Sequence, residues 1–223
     1  MVCGNPFETR FREYDAWFDR NANVFQSELH AIRALLPEPG HWVEIGVGSG
    51  RFALALGIDL GVEPAEGIAT LARARGVRVV KGFAQDLPLE DEHFDAAFMI
   101  TTLCFVRDID RAFEELHRVL VPGGCALVAF IPSDSPFGAL YQSAGTSDPF
   151  FRSSVLRPRT TILEALKRAG FVIDRAVHTL TTGVASANDR PEEPREGWKG
   201  GSFVVVRVVR PLPPQRSRPG DPS

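Results

Sequence analysis

Two continuous apolar runs, residues 94–101 and 125–131, bracket an amphipathic stretch over 109–120 whose apolar side chains fall at 109, 112, 113, 116, 119 and 120. A strand that reads apolar throughout is one buried on both faces. A helix between two such strands makes them parallel, because the chain must cross back before it re-enters the sheet in the same direction. The pattern repeats upstream. Residues 41–45 read as a short apolar strand, 51–56 as a brief helix ended by Gly57, and 58–63 as a strand. Residues 65–75 then read as a helix capped by Gly76, and 77–81 as a β-branched strand. Pro122, Gly123 and Gly124 read as a turn. The expectation is an α/β fold, a parallel sheet covered by helices on both faces.

The flanks are less regular. Phe7, Phe11, Tyr14, Trp17 and Phe18 recur at helical spacing within 7–21, and a second helix is expected over 24–36, ending before Pro37 and Pro39. Residues 132–157 are rich in Ser, Pro, Phe and Gly, with one helical turn near 137–142. A helix over 160–169 follows, then strands over 171–180 and 201–210 joined by a polar loop. Three parts result: an N-terminal helical segment over 1–40, a domain over 41–210, and a proline- and charge-rich tail over 211–223 expected to be disordered. Three scattered cysteines, Cys3, Cys104 and Cys125, form no CxxC pair, so neither a disulfide framework nor a metal site is expected. A formal net charge of -3 offers no general attraction for nucleic acid. With no signal peptide and no apolar run near the ~20 residues of a membrane helix, a cytoplasmic location is expected.

The strongest local signal is Val43-Glu44-Ile45-Gly46-Val47-Gly48-Ser49-Gly50, a strand that runs into three glycines and directly into a helix. Glycines let the backbone turn sharply and approach a ligand, and the helix start offers free N–H groups. Taken alone, the same residues suit a tight turn with no ligand. The spacing G-x-G-x-G departs from the dinucleotide fingerprint G-x-G-x-x-G, with Arg51 where that fingerprint has glycine. Glu44 would repel a pyrophosphate, but it suits a ligand carrying an ammonium and a sulfonium. Glu63, thirteen positions after Gly50 (63 − 50), ends the next strand, where an acid can accept hydrogen bonds from ribose hydroxyls.

These residues resemble the class I S-adenosylmethionine-dependent methyltransferases. Residues 44–50 resemble their first motif, D/E-x-G-x-G-x-G, and Gly61-Val62-Glu63-Pro64 their second. Residues 82–95 are similar to G-D-A-E-x-L-P-F-x-D-x-S-F-D, typical of ubiquinone/menaquinone-type enzymes, and 118–124 to R-V-L-K-P-G-G. The resemblance covers about 43–131 in unbroken order. It implies a Rossmann-like three-layer sandwich, with a mostly parallel seven-stranded sheet that ends in an antiparallel pair. It also implies roles. Glu44, Gly46, Gly48 and Gly50 would hold the methionine end of S-adenosylmethionine, Glu63 the ribose, and Ala84 and Gln85 the adenine edge. Thr101 and Thr102 would face the methyl group. Phe83 stands where the family often has an acid, Cys104 where the subgroup commonly has histidine, and the helix after Gly50 is short.

Methyl transfer from a sulfonium needs alignment more than acid–base chemistry, and a base only where the acceptor must lose a proton. Tyr14 and Asp15 are candidates, in a segment that by analogy folds over the site as a lid. The same aromatics would equally pack a helix on the core. His30, His41, His93, His117 and His178 are scattered and none is assigned, and Cys104 reads as a packed thiol. Residues 132–157 and 181–200, with Phe137, Tyr141, Phe150, Phe151 and Trp198, are expected to shape a pocket for a small, partly apolar methyl acceptor. The expected partner is that acceptor, with no nucleic acid and no membrane, and the chain a monomer or homodimer. A non-catalytic S-adenosylmethionine-binding or regulatory protein of the same fold is the alternative. A nicotinamide-dependent oxidoreductase is disfavoured by glycine spacing and Glu44, and a nucleic-acid or protein methyltransferase ranks lower.

Overall fold

A computed structural model of the protein describes residues 5–144, 148–152 and 154–213. Most of the expected tail thus lies outside the described residues.

The chain opens with α1 (Pro6–Thr9), α2 (Phe11–Arg20) and α3 (Ala22–Arg33). Asn5 caps α1 by accepting from the Phe7 N–H, and Pro6 sits where a missing N–H costs nothing. The single helix expected over 7–21 is broken at Arg10, which leaves helical geometry (φ -119°, ψ 18°) and starts α2 at a new angle.

Eight strands form one sheet: β1 (Trp42–Ile45), β2 (Leu60–Val62), β3 (Arg78–Val80), β4 (Phe94–Ile100), β5 (Leu120–Phe130), β6 (Val172–Thr179), β7 (Arg195–Glu196) and β8 (Phe203–Val209). Their order is β3-β2-β1-β4-β5-β8-β6-β7. The first five pair in parallel, while β8 runs antiparallel to β5 and β6. The seven expected strands are present. The eighth, β7, is a two-residue edge piece on Val177 and His178 of β6. β5 begins five residues earlier than expected (125 − 120), because Pro122–Gly124 form a bulge inside the strand. Gly123 donates to Arg210 O, and Arg210 donates back to Gly124 O, so the ladder closes around the bulge.

Alternate side chains of the sheet feed two cores, which is why β4 from Ala96 on and β5 from Cys125 on read apolar. Val43, Ala97, Met99 and Val128 pack with α6 (Ile109–Val119) and α8 (Arg159–Arg168). Ala96, Phe98, Leu127 and Ala129 pack on the opposite face with α3 and α4 (Arg51–Leu56). Phe113 and Leu116 of α6 are fully buried, each stabilising by about 1.5–3 kcal/mol. Truncating Phe113 to alanine would cost about 3–5 kcal/mol and loosen α6 from the sheet. The remaining helices are α5 (Glu66–Ala74), after β2, and α7 (Pro136–Ala144), after β5. The expected Rossmann-like three-layer sandwich is the observed fold.

Candidate functional site

In such sheets ligands bind beyond the carboxyl ends of the strands, where the strand order reverses. Here the ends of β1, β2 and β4 meet at that point, and a cavity of about 850 Å3 opens there. The volume suits a nucleoside-sized ligand. Gly46, Gly48, Glu63, Ala84, Gln85 and Thr101 all line it, brought together from four separate stretches of sequence.

The glycine turn is held by two bonds to one carbonyl: the Gly46 and Val47 N–H groups donate to Val62 O at 2.7 and 3.1 Å. Gly46 has φ +76°, and a Cβ there would overlap the Thr102 side chain. The Thr102 hydroxyl lies 3.1 Å from Ile45 O and braces the turn, and Thr102 also lines the cavity. Gly50 does not line the cavity. A Cβ at Gly50 would meet Ala72 Cα at 2.9 Å, so this glycine lets the turn pack against α5.

Glu63 is 9% exposed and accepts from the Gly48 N–H (Oε2, 3.0 Å) and the Ala65 N–H (Oε1, 3.0 Å). Burial raises its pKa, and the two N–H groups oppose that. Each oxygen keeps a lone pair for a ligand hydroxyl. Glu44 differs from expectation. It is 1% exposed, lines neither cavity of the site, and its Oε2 has no hydrogen-bond partner among the described residues. Its neighbours Val43 and Ile45 belong to the α6 face, so the pleat turns Glu44 the other way. Burial pushes its carboxyl well above the usual range, and the Ala53 N–H in the first turn of α4 opposes that. Glu44 therefore supports the turn from below.

The stretch before β4 is positioned by α6. Glu115 accepts from the Leu87 N–H at 2.8 Å, and Arg118, paired with Glu115, donates to Leu87 O and Leu89 O. This clamp presents Ala84 and Gln85 to the cavity, while Phe83 is 60% exposed. Thr101, just past β4, has φ +51°, a left-handed conformation uncommon for threonine, and its N–H donates to Ala129 O.

Comparison with known proteins settles the family. The family described as "Methyltransferase domain" matches residues 43–128. An S-adenosylmethionine-dependent methyltransferase of Thermotoga maritima, described as a possible histamine N-methyltransferase, superposes with a TM-score of 0.87 at 41% identity, over 92% of this chain and 98% of that one. A malonyl-[acyl-carrier protein] O-methyltransferase of Methylococcus capsulatus is 30% identical over 78% of this chain and 67% of that protein. An uncharacterized protein of Methanocaldococcus jannaschii is 33% identical over 92% of this chain and 99% of its own length. The chain belongs to the class I S-adenosylmethionine-dependent methyltransferases. It is an enzyme family, and its cofactor is S-adenosylmethionine.

The methyltransferase carries a second cavity, of about 250 Å3, that shares Arg10, Tyr14, Thr101, Phe105 and Pro149 with the first. Trp17, Phe18, Phe52, Tyr141, Phe150 and Phe151 give its wall an aromatic character. Tyr14 contacts Phe7 and Phe150 at 5.1 and 5.4 Å between ring centroids, and burial pushes its phenol far up. Asp15, the other candidate base, lines neither cavity. Burial works against its charge, but Arg51 and Arg75 bind it and hold it well below the usual carboxylate range. Arg75 also donates to Ser49 O, so Asp15 ties α2 to the glycine turn. Glu8 ties α1 to α5, accepting from the Glu66 and Gly67 N–H groups at 3.0 and 2.8 Å. Cys104 donates to Thr101 O, and burial pushes its thiol up to about 12.

Two expectations for the second cavity are corrected. Phe137 is buried in the α3-side core, and Trp198 packs against the α6-side core; neither lines either of these two cavities. The 181–200 loop instead closes on α3: the Asn23 N–H donates to Asn188, and the Glu192 N–H to Ser27 Oγ. The buried residue that sequence reasoning missed is Glu28 of α3, which lines the second cavity and is 3% exposed. Its only signal was a carboxylate amid apolar helix positions. No helix among the described residues is long and apolar enough to cross a membrane.

Proposed function

We propose that the methyltransferase moves a methyl group from S-adenosylmethionine to a small-molecule acceptor seated in the second cavity. The observation that carries the reading is that the two cavities abut at Tyr14 and Thr101. Bound cofactor supplies an electrophilic methyl; the chain's own task is to align the acceptor and exclude water. The fit of the larger cavity is physical. The Gly46–Gly48 backbone admits close approach, and Glu63 retains acceptor capacity for the ribose hydroxyls. Ala84 and Gln85 border the adenine end, and Thr101 the reacting end.

The segment 1–40 acts in this reading as the lid over a domain at 41–210, supported by α1 lining the larger cavity and α2 lining both. The stretch 82–95 supports a ubiquinone/menaquinone-type affiliation. The Thermotoga relative's description points to a small amine and the Methylococcus relative's to an O-linked acceptor, so neither atom type follows from kinship. Titration with S-adenosylhomocysteine, then turnover of the methyl-labelled cofactor against small acceptors, tests the proposal. Binding with transfer to a small acceptor is expected. Binding without transfer to any class of acceptor would favour the regulatory alternative, and no binding would overturn both.

A further inference from the structure

Glu28 is the buried charge that cofactor chemistry does not use. It lines the smaller cavity, and no described residue donates a hydrogen bond to it. Burial alone pushes its carboxyl up to about 8. Its titratable neighbours are Tyr14, Tyr141 and Cys104, all neutral near pH 7 because burial raises each of them. The cations of the same wall are committed elsewhere or lie at the rim. Arg157 donates to the carbonyls of Leu103, Val106 and Arg107. Arg10 pairs with Glu13, and Arg20 is exposed. Asp148, also on the wall, adds negative charge. An isolated buried carboxylate opposes folding by several kcal/mol unless something pairs with it. Nothing in the fold does, so Glu28 stays protonated when the cavity is empty, and a cation entering the cavity meets an acid with no competing partner.

The surroundings say what that cation is. Aromatic faces attract cations through their quadrupole and accept hydrocarbon equally well. A carboxylate set among Tyr14, Trp17, Tyr141 and Phe150 therefore selects one chemistry: a compact apolar skeleton bearing an ammonium. We propose that the acceptor is a small amine anchored as its cation, with its ammonium on Glu28, its carbon skeleton between the aromatic side chains, and a second atom that keeps a free lone pair to take the methyl. This rests on the methyltransferase reading above and narrows the acceptor class.

Calorimetry of the intact protein saturated with S-adenosylhomocysteine tests it, with three probes of one shape: 2-phenylethylamine, 2-phenylethanol and 3-phenylpropionate. The amine should bind at least tenfold more tightly than the alcohol, and the carboxylate most weakly. At pH 7 the neutral carboxyl of Glu28 should ionise on pairing, releasing a proton to solvent, which buffers of different ionisation enthalpy reveal. Glu28→Gln should lose the amine preference and the proton release while keeping its affinity for S-adenosylhomocysteine. Alcohol or carboxylate binding as tightly as the amine, no binding of the amine at all, or an unchanged amine affinity in Glu28→Gln would overturn the proposal. The comparison of probes on the unsubstituted protein stands even if the variant fails to fold. Failure of S-adenosylhomocysteine to bind would instead strike the methyltransferase reading.

Discussion

Replacing Glu63 with alanine should weaken cofactor binding and fold stability by separate, measurable amounts. Within the fold the substitution removes two hydrogen bonds, from the Gly48 and Ala65 N–H groups, each 3.0 Å long. A buried N–H left without a partner costs about 1–3 kcal/mol, so the melting midpoint should fall by several degrees. In the complex the substitution also removes the acceptor for the ribose hydroxyls. A hydrogen bond to a charged acceptor contributes about 1.5–3 kcal/mol, which corresponds to a loss of roughly 10- to 150-fold in affinity. Loosening of the glycine turn would also weaken binding, so the ribose term needs isolating. Calorimetry with S-adenosylhomocysteine and with its 2′,3′-dideoxy analogue closes a double-mutant cycle. The variant should bind S-adenosylhomocysteine far more weakly than the unsubstituted protein does, while the two proteins should differ much less for the dideoxy ligand. Equal losses for both ligands would refute a ribose contact, and no loss for either would refute the site.

Other perturbations have equally definite outcomes. Gly46→Ala places a Cβ inside the Thr102 side chain at φ +76°; a loss of roughly 2–5 kcal/mol in denaturant unfolding and of cofactor binding is expected. Glu8→Ala removes the carboxylate from the first turn of α5; hydrogen exchange over residues 6–20 should quicken while the sheet stays protected. Glu28 is an acid whose folded-state pKa is raised from 4.5 to about 8, so the folded protein keeps a proton that the unfolded chain has lost. Its contribution to stability therefore falls as pH rises from about 4.5 to 8, and Glu28→Gln should flatten that part of the unfolding profile by roughly 2–5 kcal/mol. An identical slope in the variant would refute the assignment.

The sheet and glycine turn were legible because their causes are local. Apolar runs, a cap at Gly76 and the spacing Gly46–Gly48–Gly50 carry their meaning within a few residues. The errors arose where distant segments decide. Pro122–Gly124 has the residue types of a turn, yet pairing with Arg210, some ninety positions on, draws it into β5 as a bulge. Glu44 sits in a motif position, but the pleat of β1 and the start of α4 turn it away from the cavity. Glu28 had no motif at all. Its meaning depends on α2, Tyr141 and residues 148–151 and 155–157 sharing one cavity with it, a juxtaposition that no pattern along one helix can reveal.

The tethers of the first two helices have a mechanical consequence. One roof spans both chambers, pinned by Glu8 at one end and by the Asp15–Arg51–Arg75 cluster at the other. In the proposed lid reading, traffic through either doorway requires the same hinge to lift, so departure of spent products competes with chemistry for control of turnover. The pin at Asp15 is only 14% exposed between Arg51 and Arg75, so dissolved salt screens it little and the hinge should hold at high ionic strength.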